Sequence, residues 1–282
     1  MNRYALGVGA AAMVVGAAAL ADPNTDVALE IDGVAIKTIA ASAHADNPIG
    51  DTLISGWHYR NDETRALQLD DFDNPAFLAV ELGRELWEAA DGASGKSCAD
   101  CHGGIDGFAG LRANMPKWSE AAGRPLTLEQ WINWSRKEHQ GAEPWKWESE
   151  QMLGMTAAIA VESRGMPMDV QTDGPMAEWF EKGRDLYYTR TGQLDFACAS
   201  CHEANSGMML RADHLSQGHL NGFPTYRLKW QGIGSIHRRL KGCVQDTRAE
   251  PYAVGSDELV ALELYVSWRG EGLDIEAPAV RQ

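Results

Sequence analysis

The chain has 282 residues, 44% of them hydrophobic, and a formal net charge of −15 at pH 7. That length and apolar content suit one large or two ordinary domains with cores of their own. The acidity argues against nucleic acid and anionic membrane surfaces as partners, and favours docking to a basic patch on another protein.

Asn2 and Arg3 give a short basic start, an apolar run follows from Tyr4 to Leu20, and Ala19-Leu20-Ala21 is a small-x-small cleavage site. Residues 1–21 therefore read as a secretory signal peptide. The run is rich in Gly and Ala and at the short end for crossing a bilayer. An uncleaved anchor is the alternative. No later stretch is long and apolar enough to span, so the expectation is an exported, periplasmic protein without membrane insertion. Residues 22–75 form an N-terminal extension. Within it Val27-Ala28-Leu29-Glu30-Ile31 and Val34-Ala35-Ile36-Lys37-Thr38-Ile39 alternate well enough for a short hairpin.

Cys98-Ala99-Asp100-Cys101-His102 and Cys198-Ala199-Ser200-Cys201-His202 both match the attachment signature of a c-type haem. Two thiols at this spacing reach the two vinyl groups of one porphyrin and form thioethers. His102 or His202 is then held beneath the iron as proximal ligand. The plainer readings are a redox CxxC pair or half a zinc site. Redox pairs seldom carry the trailing His twice, and a four-thiolate zinc site needs neither. Two covalently bound haems c are expected, and thioether attachment is itself a periplasmic chemistry in bacteria.

The chain is an internal duplication. Gly83-Arg84-Glu85-Leu86-Trp87 precedes the first motif and Gly183-Arg184-Asp185-Leu186-Tyr187 the second. Leu-Arg-Ala follows each, at 111–113 and 210–212. Ala142-Glu143-Pro144-Trp145 answers Ala249-Glu250-Pro251-Tyr252, and each copy closes with a helix ending in Arg-Gly, at 164–165 and 269–270. A period near 100 is far too long for a solenoid unit. The expected fold is mainly α: two tandem cytochrome c-like domains, residues 76–168 with the first haem and 169–282 with the active-site haem, behind the extension. The segment 167–175, polar with a Pro at each end, reads as a linker.

Cys243 is left over. An odd cysteine in an exported protein is an intermolecular disulfide, a reactive thiol or a metal ligand. It lies downstream of His202, where a cytochrome c domain supplies its distal ligand. That ligand is usually Met, and Met208 and Met209 are the alternatives here. Arg238, Arg239, Lys241 and Arg248 put four fixed positive charges around Cys243 in a very acidic chain. Such a cluster lowers a thiol pKa and attracts small anions. If the segment is helical, Arg239 and Cys243 share a face, and a planar guanidinium suits oxyanions. Without the cysteine this would read as a solvated basic loop or a propionate contact.

These residues carry a resemblance. The two CxxCH motifs, together with the stretches 211–218, 221–229 and Gly242-Cys243-Val244-Gln245-Asp246-Thr247-Arg248, make the chain similar to the dihaem SoxA subunits of the SoxAX complexes of bacterial thiosulfate oxidation. The similarity runs from about Ser55-Gly56-Trp57-His58 to the C-terminus. It implies that Cys243 is the distal ligand of the second haem and carries a persulfide, and that Arg239 contacts substrate. It also implies a SoxX monohaem partner, coupling of thiosulfate to a cysteine of a SoxYZ carrier, and passage of two electrons to a cytochrome c acceptor.

One departure matters. The family usually supplies a cysteine to the first haem within Asn-x-Cys, but here the stretch reads Asn133-Trp134-Ser135. A serine hydroxyl is a poor iron ligand. His139 is the replacement we expect, with Gln140, Met115 or an open site as alternatives. The rival to the enzyme reading is a dihaem electron carrier with no substrate of its own. A peroxidase would need an open or displaceable distal site, to which nothing in the sequence points.

Overall fold

The computed structural model describes residues 23–211 and 213–282, so the expected signal peptide lies outside the described residues. The extension holds two hairpins rather than one. In the first, the expected one, β1 (Leu29–Ile31) pairs antiparallel with β2 (Val34–Ile36), and Asp32 and Gly33 both take positive φ between them. That two-residue turn matches the twist of the strands it joins. Leu29, Ile31 and Ile36 bury against Trp57 as a small separate core. In the second hairpin β3 (Ile39–Ala41) pairs with β4 (Thr52–Ile54). A short helix α1 (Asp62–Ala66) follows, its cap Asn61 accepting from the Thr64 N–H.

One helical unit then occurs twice. The first copy runs α2 (Phe77–Glu88), the one-turn α3 (Ala99–His102), a hairpin of β5 (Lys117–Ser119) and β6 (Arg124–Leu126), α4 (Leu128–Ser135), and α5 (Glu150–Val161). The second runs α6 (Ala177–Tyr188), α7 (Cys198–His202), a hairpin of β7 (Met209–Leu210) and β8 (Asp213–His214), then β9 (Thr225–Arg227), β10 (Gly232–Gly234), α8 (Ile236–Asp246) and α9 (Asp257–Arg269). β11 (Ala279–Arg281) joins β9 in parallel, giving the order β10-β9-β11. The tandem, mainly helical architecture is the expected one.

In each copy the first and last helices cross at a glycine. A methyl on Gly83 would overlap the Gly154 carbonyl, and one on Gly183 would overlap the Ala261 carbonyl. Glycine there lets the backbones touch, which explains why both repeats begin on Gly. α5 is apolar nearly all round, and both α5 and α9 are almost wholly buried, α9 with Glu263, Ser267 and Arg269 among its buried residues. Ser149 and Ser256 cap them by accepting from the Met152 and Leu259 N–H groups.

Two expectations need correction. Residues 167–175 are not a free linker. The Met168 N–H donates to the Leu273 carbonyl (3.0 Å), Asp169 N–H to the Ala113 carbonyl (3.0 Å), and Val170 N–H to Glu271 Oε1 (2.9 Å). Met168 and Val170 insert into the second copy's core, and that burial outweighs the turn signals at the segment's ends. The Arg-Gly pairs are also not equivalent, since α9 reaches Arg269 whereas α5 stops at Val161, before Arg164. Arg112 further ties the copies together, donating from Nε to the Phe223 carbonyl (3.1 Å) and from Nη2 to the Leu220 carbonyl (3.0 Å).

Candidate functional site

In the first copy Cys98 and His102 line a cavity of about 320 Å³ whose walls include Trp87, Phe108, Trp131 and Met155. Its size and apolar walls are those of a small-molecule or cofactor site. Trp87 Nε1–H donates to the Gly103 carbonyl (2.9 Å), pinning the loop after the motif, and Phe108 meets the His102 ring edge-on at 5.1 Å. Cys101 is exposed. Ser135, His139, Gln140 and Met115 all line the same cavity, so every distal residue considered from sequence reaches one space. His139 is exposed and packs edge-on against Trp134 (5.1 Å). Gln140 donates to the Lys96 carbonyl (2.9 Å), while its own carbonyl oxygen is buried without a partner. Residues 136–140 form a π turn that Gly141 ends at positive φ. Such turns occur mostly at functional positions.

In the second copy the groups are set more firmly. His202 Nδ1–H donates to the Ser216 carbonyl at 2.8 Å, which leaves Nε2 as the bare nitrogen that a metal takes. Gly218, at φ +82, lies against this imidazole. A Cβ there would come within 2.8 Å of the ring. Cys243 is half-buried and close enough to His202 for the imidazole to act on its titration. Met208 and Met209, the alternative ligands, are exposed.

The thiols are electrostatically distinct. Burial and then the nearby Cys243 push Cys198 up to about 12, and the same two causes raise Cys201. Burial also acts to raise Cys243, but the Arg239 charge and then the neighbouring His202 bring it down to about 7. Thiolate, not thiol, is the nucleophile and the metal ligand, so Cys243 is the reactive sulfur of the three. Arg239 and Cys243 lie one turn apart on α8. Arg238 is turned to other partners, 3.6 Å from Glu148 and 4.2 Å over the Trp230 ring. Sequence reading missed Arg227. Buried on β9, it is pushed down to about 10 by burial first and then by Arg239, so a second guanidinium stands close to the first.

The two copies differ at matched positions. Thr127 caps α4 and Ser235 caps α8. Ser135 and Cys243 each lie eight residues beyond those caps, and Trp131 and Arg239 each lie four beyond. The first copy thus carries an alcohol in place of the thiol and an indole in place of the cation.

In both copies the donors fit a c-type haem: a thiol pair and the following imidazole, beside an apolar chamber in the first copy and, in the second, with an oriented ring nitrogen and a glycine that leaves room beside it. The zinc reading lacks support. Among the described residues, no group of three or more His, Cys, Asp or Glu side chains is placed to hold a metal ion. No helix among them is long and apolar enough to cross a membrane.

Comparison with known proteins bears on this geometry. A family model described as "SoxA/TsdA, cytochrome c domain" matches residues 82–168 and 182–275. The L-cysteine S-thiosulfotransferase subunit SoxA of Paracoccus pantotrophus is 47% identical over 285 residues, 99% of this chain and 98% of its own. That of Rhodovulum sulfidophilum is 50% identical, over 94% of this chain and 93% of its own. The crystal structure of SoxXA from P. pantotrophus contains a chain that superposes with a TM-score of 0.89 at 48% identity, covering 93% of this chain and all of that one.

Proposed function

The chain belongs to the SoxA family of c-type cytochromes, and from that membership we propose that it is the SoxA subunit of an L-cysteine S-thiosulfotransferase. The reaction joins thiosulfate to a cysteine of a SoxYZ carrier. The carrier thiol loses its proton, a bond forms between its sulfur and the terminal sulfur of thiosulfate, and two electrons leave. In this reading a SoxX monohaem subunit completes the enzyme, a cytochrome c accepts the electrons, and residues 1–21 direct export to the periplasm.

Each residue then has a task. Cys98, Cys101 and His102 would hold a first covalent haem, and Cys198, Cys201 and His202 a second, with Cys243 as the second's distal ligand. His139 remains our choice on the distal side of the first. When bound, the second haem supplies the sink for the electrons. Arg239 holds the sulfonate end of thiosulfate, and its charge keeps the Cys243 sulfur anionic. Cys243, which this reading takes to carry a persulfide, would stand beside Arg239 where the carrier sulfur and the terminal sulfur of thiosulfate are brought together. The Ser216 carbonyl keeps His202 in one tautomer and one orientation.

The observation that carries this reading is the triad of His202, Cys243 and Arg239, with the imidazole beside the one acidic thiol and the guanidinium one turn away. Intact mass of the exported protein tests it. Two haems plus one extra sulfur on the Cys243 peptide is the expected result. A bare Cys243 together with no thiosulfate conjugation would leave a plain electron carrier.

A further inference from the structure

Between the two copies lies a small buried cavity that the proposed reaction does not use, with Leu128, Pro224 and Ile236 forming its apolar walls. It holds about 10 Å³, room for one water, and Arg112, Glu129, Thr156, Ser235 and Glu263 line it, all of them buried. Arg112 gives Nε and Nη2 to carbonyls of the second copy, leaving Nη1 buried and unpartnered. His237, wholly buried, stands beside Glu263. Its Nε2 is 3.2 Å from Glu263 Oε2, yet neither atom has a hydrogen-bond partner. The orphaned Arg112 Nη1 and Glu263 Oε2 belong to residues that line a space of this size and call for a water.

The hydrogen bonds also fix the protons. The Gly255 N–H donates to His237 Nδ1 at 2.9 Å, so that nitrogen is bare, Nε2 carries the single proton, and the imidazole is neutral. Trp147 stacks flat on the ring, with centroids 4.9 Å apart, and holds it in this orientation. Arg112 is then the one cation facing two buried carboxylates. A second uncompensated negative charge in a buried cavity is strongly disfavoured, so one carboxyl keeps its proton. Burial first, and then Glu263, push Glu129 up. Among the described residues the groups facing Glu129 are Thr127 on its own helix, Thr156 on α5, His237 and Ser235 at the start of α8, Glu263 on α9, and Arg112.

Position gives the site its meaning. Glu129 and His237 each lie two residues beyond their caps, at the matched place in α4 and α8. Six residues further on, about 9 Å along each helix axis, come Ser135 and Cys243. We propose that Arg112, Glu129, Glu263 and His237 form a buried site for one water and one exchangeable proton, and that the proton's occupancy follows the charge at the second redox centre. Electrons delivered by thiosulfate oxidation add negative charge near Cys243 and hold the proton on Glu129. Their departure weakens that hold. The inference rests on the two-haem reading of the preceding section.

The test is infrared redox-difference spectroscopy of the mature protein in its complex, in water and in deuterium oxide. A protonated-carboxyl C=O band that shifts in deuterium oxide and differs between oxidised and reduced protein is expected. Glu129→Gln should remove it and flatten the pH dependence of the second centre's midpoint potential. A wild-type spectrum without such a band overturns the proposal, as does a band that survives Glu129→Gln. If that variant does not fold, Glu129→Asp keeps the acid and should move the band, and an unmoved band is equally fatal. Haem content measured on the same samples separates the two readings: fewer than two haems per chain refutes the functional premise, whereas a missing band with both haems present refutes this inference alone.

Discussion

Arg239 stands one helical turn before Cys243. Burial acts to raise that thiol, yet the guanidinium charge and then the neighbouring His202 bring it down to about 7. The same charge is placed to hold a sulfur oxyanion. Arg239→Ala should therefore lower kcat/KM for thiosulfate conjugation by about 10²-fold or more, the usual scale for losing one preorganised charge-stabilising donor. Arg239→Lys keeps the charge but not the planar fork, and should recover only part of the loss. Steady-state assays with the carrier protein and haem quantitation check this. An Arg239→Ala enzyme at the wild-type rate would remove Arg239 from the site.

Cys243→Met separates enzyme from carrier. Methionine is a good iron ligand, so both haems should remain bound and the second should rise in potential. Thiosulfate conjugation should vanish, because the thioether has no displaceable proton and takes up no sulfur. Haemochrome assay, potentiometry and carrier mass spectrometry on one preparation read all three. Conjugation at the wild-type rate would make the protein an electron carrier with no substrate of its own.

The helix crossings make a stability prediction independent of the chemistry. Gly83→Ala and Gly183→Ala place a methyl into the Gly154 and Ala261 carbonyls, atoms of a buried facing helix that cannot swing aside. Alanine's better helix propensity is worth about 1 kcal/mol. Overpacking of a close helix contact costs about 1–3 kcal/mol, so the net sign is destabilising. Denaturant titration of the haem-loaded variants should show a lower midpoint with an unchanged slope. A midpoint at or above wild type would mean the helices do not touch there.

Local spacing made much of this molecule legible. The CxxCH motifs, the first hairpin and the shared helical face of Arg239 and Cys243 are each set within a dozen residues, where periodicity and turn chemistry act directly, and the duplication shows as direct repetition of short motifs about 100 residues apart. What stayed hidden depends on segments distant in sequence. Ser216 and Gly218 meet His202 through a loop with no pattern of its own. Arg227 approaches Arg239 because β9 and β10 fold back before α8 begins. The stretch at 167–175 showed its prolines and concealed Met168 and Val170, whose burial decides its course. The buried cavity could not be seen at all, because Arg112, Glu129 and Glu263 meet only when the two copies pack together.

The matched caps of α4 and α8 yield the sharpest prediction for the first haem. Ser135 holds the place that Cys243 holds in the second copy, eight residues beyond the cap, and it lines the first cavity with His102. The low-spin electron paramagnetic resonance signal of the first haem should therefore not be of thiolate type in the wild-type protein, while that of the second should be. Ser135→Cys is expected to convert the first signal to a thiolate type and lower its potential, with little effect on conjugation, since Trp131 rather than an arginine stands four residues before it. His139→Ala should perturb the wild-type signal of the first haem alone. If it does not, Met115→Ala and Gln140→Ala discriminate the remaining donors that line the cavity. Thiolate signatures from both haems in the wild type would refute the positional equivalence, because Ser135 has no sulfur to supply and Cys243 already faces His202.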